Sequence, residues 1–294
     1  MKFLREEPNK DRSEIKFYYQ LGLYEIQVTF VVQLGRRIII CIPTQIGCVA
    51  KCTFCVSGVD EQGKPKGYKR SLTQTEILEF CHDIMTRLNV ATYGLPAVVC
   101  TMGEGEPFTN QATFEAWTRA FQALESEGRS FTFRFVGSTS GFNTDLLVAA
   151  ADLRLRSPFK TQVSLHAARQ EVRKRMVLSS RPVTEIVEAT RVYRVRTDNG
   201  RVDVNCVCCA GADTEEDAHA LGQMLQPLKG PRFRVKLNEQ NSVTGSHWQP
   251  SNPESVERFR QIVAGYGFEV IAYRTAGKSV SGACGQLESK LITA

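Results

Sequence analysis

The chain reads as an α/β protein built on a parallel sheet, and three features carry that expectation. Short β-branched runs alternate with stretches of helical periodicity through six units, the pattern of strands joined by right-handed helical crossovers. At 294 residues, 42% apolar and 23% charged, the chain is long enough for one large core of this kind and short for two. Runs of consecutive apolar residues stay below the roughly 18 that a membrane span requires. Either an open sheet or a partial barrel satisfies the alternation, and in both the loops at the carboxyl ends of the strands form the expected site.

Before Cys41, the apolar residues Phe17, Tyr18, Tyr19, Leu21 and Leu23 and the alternating stretch from Glu25 to Val32 fit a hairpin flanking the barrel. Strand candidates then run Ile38 to Pro43, Ala97 to Met102, Phe131 to Gly137, Thr161 to Leu165, Val202 to Val207, Phe233 to Leu237 and Phe268 to Tyr273. The first intervening helix opens at Ser71-Leu72-Thr73. There Thr73 and Glu76 make a capping-box pattern, and Ile77, Leu78, Ile84, Met85 and Leu88 recur at helical intervals. Further helices are expected over about 112–126, 143–153, 169–177, 183–196, 214–227 and 254–265. The segment Gly58 to Gly67 is long and polar enough for a mobile loop. No internal repeat or low-complexity tract is present.

Ten cysteines in this length are too dilute for a disulfide scaffold. The start, MKFLREEPNKDRSEIK, lacks the apolar core of a signal peptide, so the chain is expected in the cytoplasm, where thiols stay reduced unless they bind metal or do chemistry. A formal charge of +6 permits a nucleic-acid partner without requiring one.

Residues 48 to 55 read CVAKCTFC, placing Cys48, Cys52 and Cys55 in a C-x3-C-x2-C spacing just after the first predicted strand of the alternating series. Structural zinc sites normally take four protein ligands, whereas three thiolates on a cubane iron–sulfur cluster leave one iron open to another molecule. A zinc loop completed by a distant cysteine or by His82 is the plainer alternative.

This spacing, so placed, resembles the radical S-adenosylmethionine superfamily. The context CIPTQIGCVAKCTFC, then GEGEP at 103–107 with Asn110, STSG at 138–141, SLHA at 164–167, Asn241 and ACGQL at 283–287 together resemble the RlmN/Cfr-type adenine methyltransferases. The resemblance covers nearly everything from Arg37 to Leu287. It implies a partial (β/α)6 barrel over 37–267, a short N-terminal extension over 1–36, and a C-terminal strand and tail over 268–294. Cys48, Cys52 and Cys55 would hold a [4Fe-4S] cluster whose open iron chelates S-adenosylmethionine.

The other matching positions have a physical reading as well. Gly103 and Gly105 let backbone approach a ligand, and the Glu106 carboxylate can accept from an ammonium group; a simple strand-to-helix turn is the alternative. By resemblance Glu106 binds the cofactor's amino group, Ser138 lies near its carboxylate, and Ser164 and Asn241 contact its ribose and methionine regions. His166, at the end of the fourth strand of the series, is either a further site residue or a satisfied structural histidine. Cys81, Cys100, Cys206, Cys208 and Cys209 read as small buried hydrophobes.

The resemblance gives two more cysteines separate tasks. In the family, the cysteine matching Cys284 is methylated by one S-adenosylmethionine, and a second cofactor yields a 5′-deoxyadenosyl radical that takes a hydrogen from that methyl. The carbon radical adds to adenine, and the cysteine matching Cys41 resolves the adduct, leaving a disulfide. Radical addition fits the target, because the amidine carbons of adenine are electrophilic and do not attack a sulfonium methyl; the covalent tether supplies proximity.

Departures from the family concern the substrate. Only 40 residues precede Cys41 where family members carry a larger domain, the segment after the sixth strand reads NEQNSV, the stretch before the tail cysteine reads AGKSVSGAC, and Glu104 replaces the usual methionine. Basic residues nevertheless fall on predicted loops and helices: Lys64, Lys66, Lys69 and Arg70; Arg169, Arg173, Lys174 and Arg175; Arg232, Arg234 and Lys236. Such groups neutralise phosphates, or simply form a solvated surface.

The expected activity is methylation of an adenine carbon in rRNA or tRNA by a cytoplasmic monomer, with a flavodoxin or ferredoxin as electron donor and no membrane. The alternatives are the same chemistry on a free nucleotide or nucleoside-like molecule, and a non-catalytic iron–sulfur or zinc protein on the same scaffold.

Overall fold

In the computed structural model, residues 1–33, 35–126, 133–156, 159–273 and 275–292 are described. The chain opens with strands β1 (Lys2–Pro8), β2 (Glu14–Leu21), β3 (Tyr24–Gln33) and β4 (Arg37–Cys41), all antiparallel neighbours. The N-terminal segment is therefore a three-stranded meander continuous with the main sheet rather than a separate hairpin. The strand missed from sequence, β1, reads KFLREEP; it is a charged edge strand with little apolar alternation, as suits an edge that must not pair further.

Two short strands, β5 (Gln45–Ile46) and β6 (Arg70–Ser71), bracket the cysteine loop as a small second sheet. Then come α1 (Gln74–Arg87), β7 (Ala97–Cys100), α2 (Gln111–Ser126), β8 (Phe133–Thr139), α3 (Thr144–Arg156) and β9 (Phe159–Ser164). They are followed by α4 (Gln170–Met176), α5 (Val183–Arg196), β10 (Val202–Cys208), α6 (Glu215–Met224), β11 (Phe233–Glu239), α7 (Pro253–Gly265), β12 (Glu269–Tyr273) and β13 (Lys290–Leu291). Each predicted strand and helix of the alternating series is present within a few residues. The start of the third predicted strand, 131–132, lies outside the described residues.

Strands β4, β7, β8, β9, β10, β11 and β12 pair in that order, all parallel. Helices on the outside supply the crossovers that parallel pairing requires. The sheet curls on itself: β3, β4 and β7 to β12 line one interior cavity of about 1000 Å³. Its edges do not pair, and across the gap Gln33 Nε2 donates to the Tyr273 hydroxyl at 3.1 Å. The fold is thus a partial barrel of six crossover units and one additional strand.

Local choices agree with this frame. The capping box of α1 forms, with Glu76 N on Thr73 Oγ1 at 3.2 Å and Thr73 N on Glu76 Oε2 at 2.8 Å. Between sheet and helices, Trp117 is fully buried against Phe108, Phe114, Phe121 and Phe159. Gly137 leaves room for two of these rings, since a Cβ there would lie 2.6 Å from both Phe159 and Trp117. The segment from Gly58 to Gly67 is a hydrogen-bonded turn rather than a loose loop: Asp60 Oδ1 accepts from Gln62 N and Lys64 N, and Val59 bridges Pro65.

Candidate active site

The cysteine loop follows β4 and is pinned from below. Thr53 N donates to Met176 O at 2.8 Å, the Thr53 hydroxyl donates to Arg175 O at 2.8 Å and accepts from Trp248 Nε1 at 2.7 Å, and Cys52 bridges Val177. Gly58 closes the loop where any side chain would strike backbone: a Cβ would lie 2.0 Å from Cys52 O. Cys48, Cys52 and Cys55 consequently share the wall of one cavity of about 150 Å³. Burial pushes all three thiols up, with the neighbouring Cys55 adding to Cys48 and both neighbours adding to Cys52. Ligation by a cation would relieve that penalty.

Among the described residues no group of three His, Cys, Asp or Glu side chains is already arranged to hold a single metal ion. Cys48, Cys52 and Cys55 line one cavity wall, Cys48 buried and the other two half-buried, and are the residues that would hold a cubane cluster.

The rest of the lining comes from strand ends: Gly103, Gly105 and Glu106 after β7, Ser138 and Ser140 on and after β8, Ser164 and His166 at the end of β9, Asn205 and Val207 on β10, and Asn238 to Asn241 at and just beyond the end of β11. Three of these side chains carry a buried polar atom without a partner, His166 Nδ1, Asn205 Oδ1 and Gln240 Oε1. Such atoms are costly unless a polar ligand satisfies them, and they fit the cavity to an amino-acid and ribose-bearing cofactor. Ser138 and Ser164 hydroxyls lie 3.2 Å apart.

Glu106 is more engaged than the sequence suggested. Its Oε2 accepts from Ser140 N and Oγ, both at 2.7 Å, and its Oε1 from Phe108 N at 3.1 Å. Burial nevertheless outweighs these bonds and raises its pKa, so the carboxylate gains from a nearby ammonium. Gly105, at φ +112, serves a close approach between loops: a Cβ would meet the Thr44 hydroxyl at 2.6 Å. His166 is held at φ +63, packs edge-on against Phe54 with ring centroids 4.7 Å apart, and is driven down to about 3 by burial and by Arg173. Its imidazole is therefore neutral under physiological conditions.

Asn241 lines the cavity, and its Nδ2 donates to Cys284 O at 2.8 Å, so it also fixes the tail loop. The same loop is stitched to the cysteine loop by Val56 N on Gly285 O at 2.8 Å and Ser57 Oγ on Leu287 O at 2.6 Å. The meander holds it from the other side: Thr29 Oγ1 donates to Gly282 O at 2.8 Å, Lys16 Nζ to Ser281 O at 3.1 Å, and Gly277 N to Glu14 Oε1 at 2.7 Å.

This lacing leaves Cys284 lining two cavities at once, the one walled by the cluster cysteines and the large barrel interior that also holds Cys41. Burial lifts the Cys284 thiol to about 12, and Lys236 acts against that rise. Cys100, read from sequence as an inert buried hydrophobe, is the residue the sequence reading missed. It pairs in register with Cys41 across β4 and β7 and lines the same cavity. The interaction of the two thiols draws Cys100 below the ordinary thiol range and, with burial, holds Cys41 well above it. The signal was available: each cysteine ends a strand, and those two strands follow one another in the sheet.

The charged groups expected on the surface divide. Arg70 pairs with Glu76, Lys66 with Glu288, and Arg169 with Glu216 and Asp217. Arg173 is fully buried and donates to the carbonyls of Ser164, Leu165 and Ser140, so it braces the site instead of meeting phosphate. Arg234 and Lys236 lie on β11 and line the barrel interior, as does Arg232 just before that strand. Glu104 is not a rim residue: it is buried, and burial raises its pKa to about 7, with Ser289 acting against that rise.

Three thiols on the wall of one cavity, at the strand ends of a partial parallel barrel, match the class of the radical S-adenosylmethionine enzymes. No protein-family model matches the chain, but individual relatives do. It is 30% identical over 276 residues to the dual-specificity RNA methyltransferase RlmN of Ruthia magnifica subsp. Calyptogena magnifica, covering 91% of this chain and 72% of that protein. It is 31% identical over 258 residues to a probable RlmN of Desulfitobacterium hafniense, covering 86% and 68%. A crystal structure of a radical SAM methyltransferase from Sphaerobacter thermophilus superposes with a TM-score of 0.83 at 28% identity, covering 97% of this chain and 80% of that one. The chain belongs to the RlmN family.

Proposed function

We propose that this protein methylates an adenine carbon in rRNA or tRNA, with Cys48, Cys52 and Cys55 holding a [4Fe-4S] cluster, Cys284 carrying the methyl group and Cys41 resolving the protein–substrate adduct. The observation that carries this reading is the position of Cys284 between the cluster cavity and the chamber of Cys41. When bound, the cluster and S-adenosylmethionine would supply the reducing electron and the carbon radical that the polar residues cannot.

The chain's own groups supply the rest. Glu106, Ser138, Ser164, His166 and Asn241 line the cofactor cavity together with the backbone at Gly105. Asn241 and the bonds from Val56, Thr29 and Lys16 hold the Cys284 loop over the strand ends, which fixes the sulfur's position against both cavities. Lys236 favours the Cys284 thiolate needed to accept a methyl. Cys41 lines the barrel interior together with Cys284, whose charge helps to raise the Cys41 thiol. A flavodoxin or ferredoxin would deliver electrons one at a time. Among the described residues no helix is long and apolar enough to cross a membrane, in keeping with a monomeric enzyme acting on RNA in the cytoplasm.

Two substitutions test the division of labour. Cys284→Ala should abolish methyl incorporation into the protein, read by mass spectrometry. Cys41→Ala should load methyl normally and then accumulate a covalent protein–substrate adduct; free turnover by that variant would remove the resolving role.

A further inference from the structure

The interior of the barrel is charged where such barrels are ordinarily packed with branched apolar side chains. Along β11 the residues alternate: Phe233, Val235 and Leu237 are buried on the helix side, whereas Arg234 and Lys236 line the interior. Counting every lining residue, seven cations (Arg37, Arg134, Lys160, Arg201, Arg232, Arg234, Lys236) face two carboxylates, Asp203 and Glu269. The chain as a whole carries only +6, so its excess positive charge is concentrated in this chamber.

At the centre, one fully buried carboxylate serves four cations, Arg201 lying 3.9 Å from Asp203 Oδ1 beside the three that follow. Asp203 accepts from Lys160, takes two bonds from Arg234 at 3.0 and 2.9 Å, and lies 3.9 Å from Lys236 Nζ. Lys236 is further fixed over the Tyr273 ring at 4.2 Å. The group retains a net positive charge in a desolvated place. Burial depresses both lysines, Lys160 to about 8, although the charge of Asp203 acts against that fall. The level of the chamber is set by register. Cys41, Cys100, Val136 and Lys160 form one row across β4, β7, β8 and β9, so the cationic centre and the thiols share the same stretch of the barrel.

We propose that this chamber binds a phosphorylated adenine nucleotide, its phosphate held by Lys160, Arg234 and Lys236 and its base directed toward Cys284 and Cys41. The base orientation rests on the function proposed above; the phosphate site rests on the charge and volume of the chamber. About 1000 Å³ accommodates a whole nucleotide. The nucleotide enters either as a residue extruded from RNA, at an unstacking cost that such enzymes meet by binding the flipped base, or as a free molecule.

The test is calorimetric binding of AMP, adenosine and a 5′-phosphorylated single-stranded RNA containing one adenine to the full-length protein. AMP should bind at least about tenfold more tightly than adenosine, the worth of charge-assisted contacts to one phosphate. Lys160→Met and Arg234→Met should erase that preference while leaving adenosine affinity in place, and Lys160→Arg should retain it. Inorganic phosphate should also protect Lys160 from acetylation. Tight binding of the RNA probe identifies the extruded residue as the source, and binding of AMP alone identifies the free nucleotide. Equal affinity for AMP and adenosine, or a phosphate preference that survives both methionine variants, overturns the proposal even if RNA is methylated. A phosphate preference that depends on Lys160 and Arg234, in a protein that methylates no adenine, upholds the chamber and overturns the function.

Discussion

Cys284 reaches its place through residues that are themselves unremarkable in sequence. The glycines around it are informative only in space: Gly282 faces the Thr29 hydroxyl, where a Cβ would lie 2.5 Å away, and Gly285, at φ +82, sits by the backbone of Phe54. Asp203 plays the equivalent part in the chamber. Burial works against its carboxylate, but the charge of Lys160 and the bonds from Arg234 and Lys160 outweigh that and hold its pKa below the usual range. A carboxylate with a depressed folded pKa contributes stability above its unfolded pKa of about 3.9, and that contribution disappears as pH falls through the folded value. Asp203→Asn should therefore cost about 3 kcal/mol near neutrality, the penalty of leaving buried cations unpaired. It should also flatten the acid limb of the stability curve, as urea denaturation across pH will show. That Cys48, Cys52 and Cys55 share one cavity wall was legible from their spacing. Cys100 and Asp203 were not, because their roles arise from neighbours in register on adjacent strands, which linear spacing does not display.

At the level of elements, the N-terminal meander acts as the clamp for the catalytic tail. Glu14 of β2 accepts from Gly277 N, Ser279 N and the Ser279 hydroxyl, while Lys16 and Thr29 hold Ser281 and Gly282. Glu14→Ala removes three bonds to the tail without touching either cavity wall. Limited proteolysis should then cut within 275–287 faster than in the parent, and methyl loading of Cys284 should slow; unchanged cleavage would show that the meander is not the clamp. The helices and strands of the barrel were readable because each carries its own periodicity and caps. The clamp was not, since the tail residues that Glu14, Lys16 and Thr29 hold lie more than 250 positions away in sequence. Trp117 marks the packing between layers, and Trp117→Ala should cost about 3–5 kcal/mol, measurable as a lowered denaturation midpoint.

For the whole molecule, the barrel separates two environments along its axis. A cavity walled by Cys48, Cys52 and Cys55 lies at the strand ends, a cationic chamber fills the interior, and a single cysteine, Cys284, borders both. That arrangement explains why surface basic clusters are so often paired internally: the charge available to meet a phosphate is inside. The radical machinery follows the family pattern, and the departures seen in sequence, NEQNSV and Glu104 among them, lie on or beneath the tail and its supports rather than among the cluster ligands.

Isotope tracing through Cys284 decides the account. The protein is reconstituted anaerobically with iron and sulfide, reduced, and given methyl-labelled S-adenosylmethionine with total RNA. The expected result is 5′-deoxyadenosine, label on Cys284, and the same label on an adenine carbon. Labelled adenine without any label passing through Cys284 would contradict it.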